Sequence, residues 1–205
     1  MRTLFKQISN GAESLGLEIT EEQISLMINY LDLLAKWNRR INLTSIRGAN
    51  QMVTRHLLDS LSIAPYIKGQ RILDAGTGAG LPGIPLAIFF PTKEFTLLDS
   101  HGKKTHFLNQ VKFELNLKNI EIINDRAESF KPTHCFECIT SRAFSSLNVM
   151  IEVTKNLCCS NGEWLAMKGQ YPEEELVGMD YPYKVVPLTV PGLDEARHLV
   201  IINRE

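Results

Sequence analysis

No apolar run in this 205-residue chain reaches the roughly 18 residues that a membrane-spanning helix needs. The start, MRTLFKQISNGAES, is positively charged but lacks the apolar stretch and cleavage site of a secretory leader. Repeats and low-complexity tracts are missing, which excludes solenoids and fibrous arrays. The net charge is only -1, so nothing in the total points to nucleic acid. These absences leave a cytoplasmic globular protein. A 44% hydrophobic and 22% charged composition agrees. The length is enough for one sizeable core, as one domain or one domain with an appendage.

Cysteine is scarce as well: Cys135, Cys138, Cys158 and Cys159 are all there is. HCFEC holds a C-x-x-C, a spacing shared by redox pairs and half zinc sites. A redox pair wants its first cysteine at a helix N-terminus. The flanking CFECITS reads as a strand, where positions three apart point to opposite faces. The cysteines are therefore read as small buried hydrophobes, with no metal site.

Acidic residues are absent from Ala35 to Leu58, a stretch that carries Lys36, Arg39, Arg40, Arg47, Arg55 and His56. Acid gathers elsewhere, as in YPEEELVGMD. A chain neutral in total can still present a basic face.

The first third reads as helical. TEEQISLMINYLDLLAKWNRR opens on Thr20 with Gln23 three residues on, a capping-box pattern. Ile24, Met27, Ile28, Leu31, Leu34 and Trp37 follow at helical spacing, which assigns Trp37 to the core rather than to base stacking. INLTSIRGAN reads as a loop, and a further helix is expected from about Asn50 to Tyr66. From Lys68 strands alternate with helices. RILDA, EFTLLDS, IEIIND, CFECITSRAF and GEWLAMKG are the strands; LPGIPLAIFF, KKTHFLNQVKFELNL and SLNVMIEVTKNLCC are the helices. YKVVPLTV and RHLVIIN have no helix between them and read as an antiparallel hairpin at an edge. The expectation is an α/β fold: a mostly parallel sheet with helices on both faces, residues 68–205, preceded by a helical extension, residues 1–67.

RILDAGTGAGLPGIPLAIFF, Arg71 to Phe90, packs five glycines or prolines into Gly76–Gly83. Asp74 ends a strand, and Gly76, Gly78 and Gly80 fill the turn. Glycine permits positive φ and close approach of a ligand to bare backbone, and ligands of such sheets bind beyond the carboxyl ends of the strands. A dinucleotide motif G-x-G-x-x-G matches formally from Gly78 to Gly83. It would, however, put Pro82 and Gly83 at the helix start that must hold a pyrophosphate, and proline donates no hydrogen bond. S-adenosylmethionine (SAM) has no phosphate and fits the D-x-G-x-G-x-G form better. Asp99, ending the second strand, would accept the ribose hydroxyls. After the third strand, Ala127 and Glu128 could meet an adenine ring, with Asp125 as another carboxylate; an ordinary strand-to-helix turn is the competing reading.

The segments YLDLLAKWNRRINLTSI, RHLLDSL, DAGTGAGLPGIPLAI, LLDSHGKKTHFL, RAES, TSRAF, LAMKG and RHLVII, in this order, resemble the bacterial 16S ribosomal RNA guanine-N7 methyltransferase G family, formerly called glucose-inhibited division protein B. The resemblance runs from about residue 28 to the C-terminus. It implies a class I SAM-dependent methyltransferase fold with a seven-stranded sheet, and methyl transfer to N7 of a guanosine in the decoding region of 16S rRNA. It also implies SAM contacts at Gly76, Leu81, Ala127, Glu128 and Arg142. Asp74, Gly78 and Asp99 belong to the general class I pattern. RNA contacts would come from Arg39, Arg55, His56, Lys103, Lys104, Lys168, Arg197 and His198. The chain is expected to act as a monomer on rRNA, free or in the small subunit.

The chemistry agrees with what is missing. Guanine N7 bears a lone pair and no proton, so its methylation needs no general base and no catalytic residue is assigned. The D/N-P-P-Y/F tetrad of amino-methylating enzymes is absent, and so is the Pro-Cys pair of cytosine C5 methylation. The fourth strand ends instead in TSRAF. There Arg142 is assigned to the cofactor pocket, with RNA contact and a structural ion pair as alternatives, and Phe144 either stacks on a base or packs in the core. Competing functions are a SAM-dependent enzyme acting on a small molecule or protein, a non-enzymatic rRNA-binding assembly factor, and a nicotinamide-dependent dehydrogenase.

Overall fold

The computed structural model describes residues 2–142, 144 and 146–204. Ala143, within the TSRAF motif, lies outside the described residues. Helices α1 (Arg2–Ser14) and α2 (Glu21–Asn38) lead the chain. The capping box at the start of α2 forms as expected: Gln23 N–H donates to Thr20 Oγ1 and Thr20 N–H to Gln23 Oε1. The helix expected over 50–66 is broken into α3 (Ala49–Met52), a π-helical turn (Val53–Leu58), α4 (Asp59–Leu61) and a 3-10 turn (Ala64–Tyr66). Among the described residues no helix is long and apolar enough to cross a membrane.

Strands β1 (Arg71–Ala75), β2 (Glu94–Leu98), β3 (Ile120–Ile123), β4 (Phe136–Ser141), β5 (Cys158–Lys168), β6 (Tyr183–Leu188) and β7 (Arg197–Asn203) form one sheet in the order β3-β2-β1-β4-β5-β7-β6. Pairing is parallel from β3 through β5, and β7 runs antiparallel to both neighbours, as the hairpin reading requires. Helices α5 (Gly83–Phe89), α6 (Gly102–Glu114), α7 (Leu147–Thr154) and α8 (Glu173–Leu176) connect them. Cys158 and Cys159 open β5 instead of closing the preceding helix, because they pair alongside Phe136 of β4.

Alternation along the strands builds two cores. Ile72, Phe95, Leu97, Cys138, Leu165 and Leu199 face one side, where α1, α2, α5 and α6 contribute Ile8, Met27, Leu34, Ile84 and Phe107. Leu73, Leu98, Ile139, Trp164, Val200 and Ile202 face the other, under Leu147, Met150 and Leu176. Trp37 joins the first core half-buried, its ring 5.8 Å from that of Phe107. One sequence expectation fails here. Cys135 and Cys159 form a disulfide, with Cα atoms 5.0 Å apart, while Cys138 and Cys158 are buried thiols. The partners are 24 residues apart, and only the β4–β5 pairing brings them together.

Tyr30, fully buried in α2, donates its hydroxyl to the Ala79 carbonyl at 2.8 Å. The N-terminal helices therefore hold the glycine turn directly. Tyr30→Phe leaves that buried carbonyl without its partner and is expected to cost about 1–3 kcal/mol, read as a lower urea midpoint at unchanged slope.

Candidate active site

After Ala75 the chain turns through Gly76, Gly78 and Gly80 at φ +67°, +62° and +92°. This is the left-handed region, which costs other residues roughly 1–2 kcal/mol each. The N–H groups of Gly76 and Thr77 both donate to the Leu98 carbonyl, tying the turn to the end of β2. The glycines then divide their work. A Cβ on Gly80 would sit 2.5 Å from Ile84 Cγ1, and one on Gly83 would overlap Leu97 Cδ2 and lie 2.7 Å from Asp74 Oδ2. Those two let α5 pack against the sheet. A Cβ on Gly76 would meet only Phe144 Cε2, at 3.8 Å, so Gly76 leaves bare backbone facing an open cleft.

Asp74 organises this turn from behind. It is fully buried, and its Oδ2 accepts from Thr77 Oγ1 at 2.6 Å and Gly83 N–H at 2.8 Å, while Oδ1 has no hydrogen-bond partner. Burial pushes its carboxyl up to about 6, against the opposing pull of those hydrogen bonds and of the Arg142 charge. The first turn of α5 is thus turned inward: Gly83 N–H serves Asp74, Ile84 N–H serves Gly80, and Pro85 has none. No N–H there is left to cradle a pyrophosphate, which removes the dinucleotide reading.

The cleft beside Gly76 is a cavity of about 380 Å³. Asp99, just beyond β2, stands on one side with 5% of its side chain exposed. Ala127 and Glu128, in the turn after β3, line another side, with Asp125 and Arg126. Phe144 and, from α7, Val149 and Val153 supply an apolar wall. The residues fit SAM: bare backbone at Gly76, a carboxylate beyond β2, and apolar surface for a flat ring. Leu81 is buried at 4% exposure and packs into the core behind the loop. Gly78 reaches the cleft through its N–H, which donates to Asp99 Oδ2 at 2.9 Å. Among the cleft residues not assigned to the cofactor from sequence are His101 and Lys104. Their signal was there, since the N-cap and first turn of a helix that starts three residues after Asp99 face the same opening.

A second cavity, about 460 Å³, opens beside the TSRAF segment. Its walls carry four cationic side chains, Arg55, Arg142, Lys168 and Arg197, and one carboxylate, Asp59. Arg142 was assigned to the cofactor pocket by resemblance; the structure places its guanidinium here. It donates to Asp59 Oδ2 at 3.2 Å and to the Arg55 carbonyl at 3.0 Å. Arg197 Nε donates to Asp59 Oδ1 at 3.0 Å. The buried Asp59 thus gathers three segments far apart in sequence. The π-helical turn places Arg55 and His56 on the cavity, a register that an unbroken α-helix would not give. His56 Nε2 contacts Thr44 Oγ1 at 2.9 Å, and Asn38 fixes the Thr44 backbone through its N–H and carbonyl. Burial, reinforced by the Arg142 charge, lowers His56 to about 4, so it is neutral. Lys168 pairs with Glu175 at 2.8 Å, and Arg55 pairs with Glu195. Arg39 and Lys103 are exposed and line neither cavity, and His198 packs edge-on to Tyr171 at 5.7 Å.

A family model described as rRNA small subunit methyltransferase G matches residues 23–200. A protein of Pseudomonas syringae pv. tomato named ribosomal RNA small subunit methyltransferase G is 48% identical over 202 residues, covering 97% of this chain and 96% of its own length. One of the same name from Pseudomonas entomophila is 49% identical over 205 residues, covering 98% and 95%. Among solved structures, a SAM-dependent methyltransferase from Aquifex aeolicus superposes with a TM-score of 0.59 at 17% identity, over 76% of this chain and 93% of that one. An rRNA methylase from Streptococcus thermophilus gives 0.51 at 15% identity, over 71% and 93%. These two structures share the fold.

The Asp74 carboxyl yields a pH prediction. Its folded value, about 6, lies above the unfolded value of 3.8, so its contribution to stability is fully present below the unfolded value and lost as pH rises through 6. Asp74→Asn keeps an oxygen for Thr77 and Gly83 without the charge. It is expected to melt higher than the parent at about pH 8, by about 2–4 °C per kcal/mol, with the gap closing toward about pH 5 in calorimetric scans.

Proposed function

The chain belongs to the rRNA small subunit methyltransferase G family, and from that membership we propose that it methylates N7 of a guanosine in the decoding region of 16S rRNA. SAM, bound in the Gly76 cleft, supplies an electrophilic methyl group. Asp74, Gly76, Gly78, Leu81, Asp99, Ala127 and Glu128 hold that cofactor, the first and fourth by shaping the loop from behind. The observation that carries the reading is the second cavity, where cations are plentiful and a proton acceptor is missing. His56 is held near 4, and Asp59 is occupied by two guanidinium groups. Methylating an exocyclic amine or a hydroxyl requires a proton to leave; methylating N7 does not. The residues present can hold and align a base, and alignment alone is worth roughly 7–11 kcal/mol in favourable cases.

In this reading Arg142, Arg197, Arg55 and Lys168 take phosphates or the guanine O6, leaving N7 free. Arg39, Lys103 and His198 contact RNA beyond the cavity, and Lys104 belongs with the cofactor. Residues 1–67 form an extension that brings Thr44, Arg55, His56 and Asp59 to the substrate side, while 68–205 form the methyltransferase domain that holds the cofactor. A polyanionic substrate suits four converging cations better than a neutral small molecule does.

Mass mapping of 16S rRNA from cells lacking the gene, after incubation with the purified protein and SAM, is expected to show one new 7-methylguanosine. Methylation at another atom, or none on free or assembled RNA, refutes the proposal. Arg55→Gln is expected to raise KM for rRNA and to lower the slope of log affinity against log salt by about 1, with SAM affinity unchanged by calorimetry.

A further inference from the structure

A carboxylate accepts about four hydrogen bonds, two on each oxygen. On Asp99, His101 fills both places at Oδ1, with its backbone N–H at 2.9 Å and its ring Nδ1 at 2.9 Å. At Oδ2 one place is taken by Gly78 N–H at 2.9 Å, and Lys104 Nζ stands off at 3.6 Å. A single place remains, whereas a ribose cis-diol asks for two. Asp99 cannot move to find another, being 5% exposed and held by two backbone N–H groups. The ring of His101 can: it is 69% exposed and makes no side-chain cap to α6.

We propose that His101 gates the ribose site, its imidazole occupying Asp99 Oδ1 in the free protein and giving way to a ribose hydroxyl as the cofactor enters. This rests on the reading of the Gly76 cleft as the SAM site. The other charged or titratable groups on the cleft are Asp99 itself, Lys104 from α6, and Asp125, Arg126 and Glu128 from the turn after β3.

Titration calorimetry with S-adenosylhomocysteine tests the gate. His101→Leu is expected to bind about three- to ten-fold tighter than the parent near pH 8, as removal of one competing hydrogen bond implies. The 2′-deoxy analogue of the ligand needs only the free place on Oδ2, so the variant is expected to bind it no more tightly than the parent does; His101→Ala, which removes the same ring nitrogen, decides the matter if His101→Leu folds poorly. Equal or weaker binding by the variants, or an equal gain for the ligand and its deoxy analogue, overturns the gate while leaving the cofactor site in place. No binding to the unaltered protein at any pH defeats the cofactor site and the gate together.

Discussion

The carboxylate of Asp74 is the constraint on which the cofactor side of the molecule depends. One oxygen gathers the Thr77 hydroxyl and the Gly83 N–H, which fixes both ends of the glycine turn around the tip of β1. Gly78 and Gly80 lie between those two anchors and Gly76 directly precedes the first, all three in the left-handed region. Tyr30 pins the turn at Ala79 from α2, and the Leu98 carbonyl pins its start from β2. A turn held at four points keeps its backbone as a preformed wall, so little ordering remains to be done when a ligand arrives.

A second buried carboxylate does comparable work on the substrate side, in different surroundings. Asp59 meets two guanidinium groups, from Arg142 after β4 and Arg197 in β7. Removing one partner of such a buried pair leaves an uncompensated charge, which is why these contacts hold position strictly. Asp74 has neutral partners and a raised carboxyl, whereas Asp59 is matched by cations. One carboxylate shapes backbone and the other aims charge. The two cavities they organise flank residues 142 and 144, so cofactor and target base would meet across that segment.

This division leaves the charged groups of the second cavity held in fixed pairs. The four cations that line it are each matched, Arg142 and Arg197 by Asp59, Lys168 by Glu175 and Arg55 by Glu195, and His56 beside them is neutral.

The sequence by itself determined the sheet, the capping box, the terminal hairpin and the glycine turn. Those follow from local periodicity and from the φ range that only glycine adopts freely. The DAGTGAG run followed by Asp99 was enough to expect a cleft beyond the ends of β1 and β2, where one lies. Tertiary structure alone decided where side chains of remote segments meet. Arg142 was assigned to the cofactor, yet its long side chain turns to Asp59, 83 residues away, because a buried charge must find its partner. Cys135 was read as an unpaired buried residue, yet strand pairing sets it beside Cys159. The π-helical turn that aims Arg55 and His56, and the His101 ring on Asp99, are products of packing and hydrogen-bond competition in three dimensions, which no linear spacing encodes.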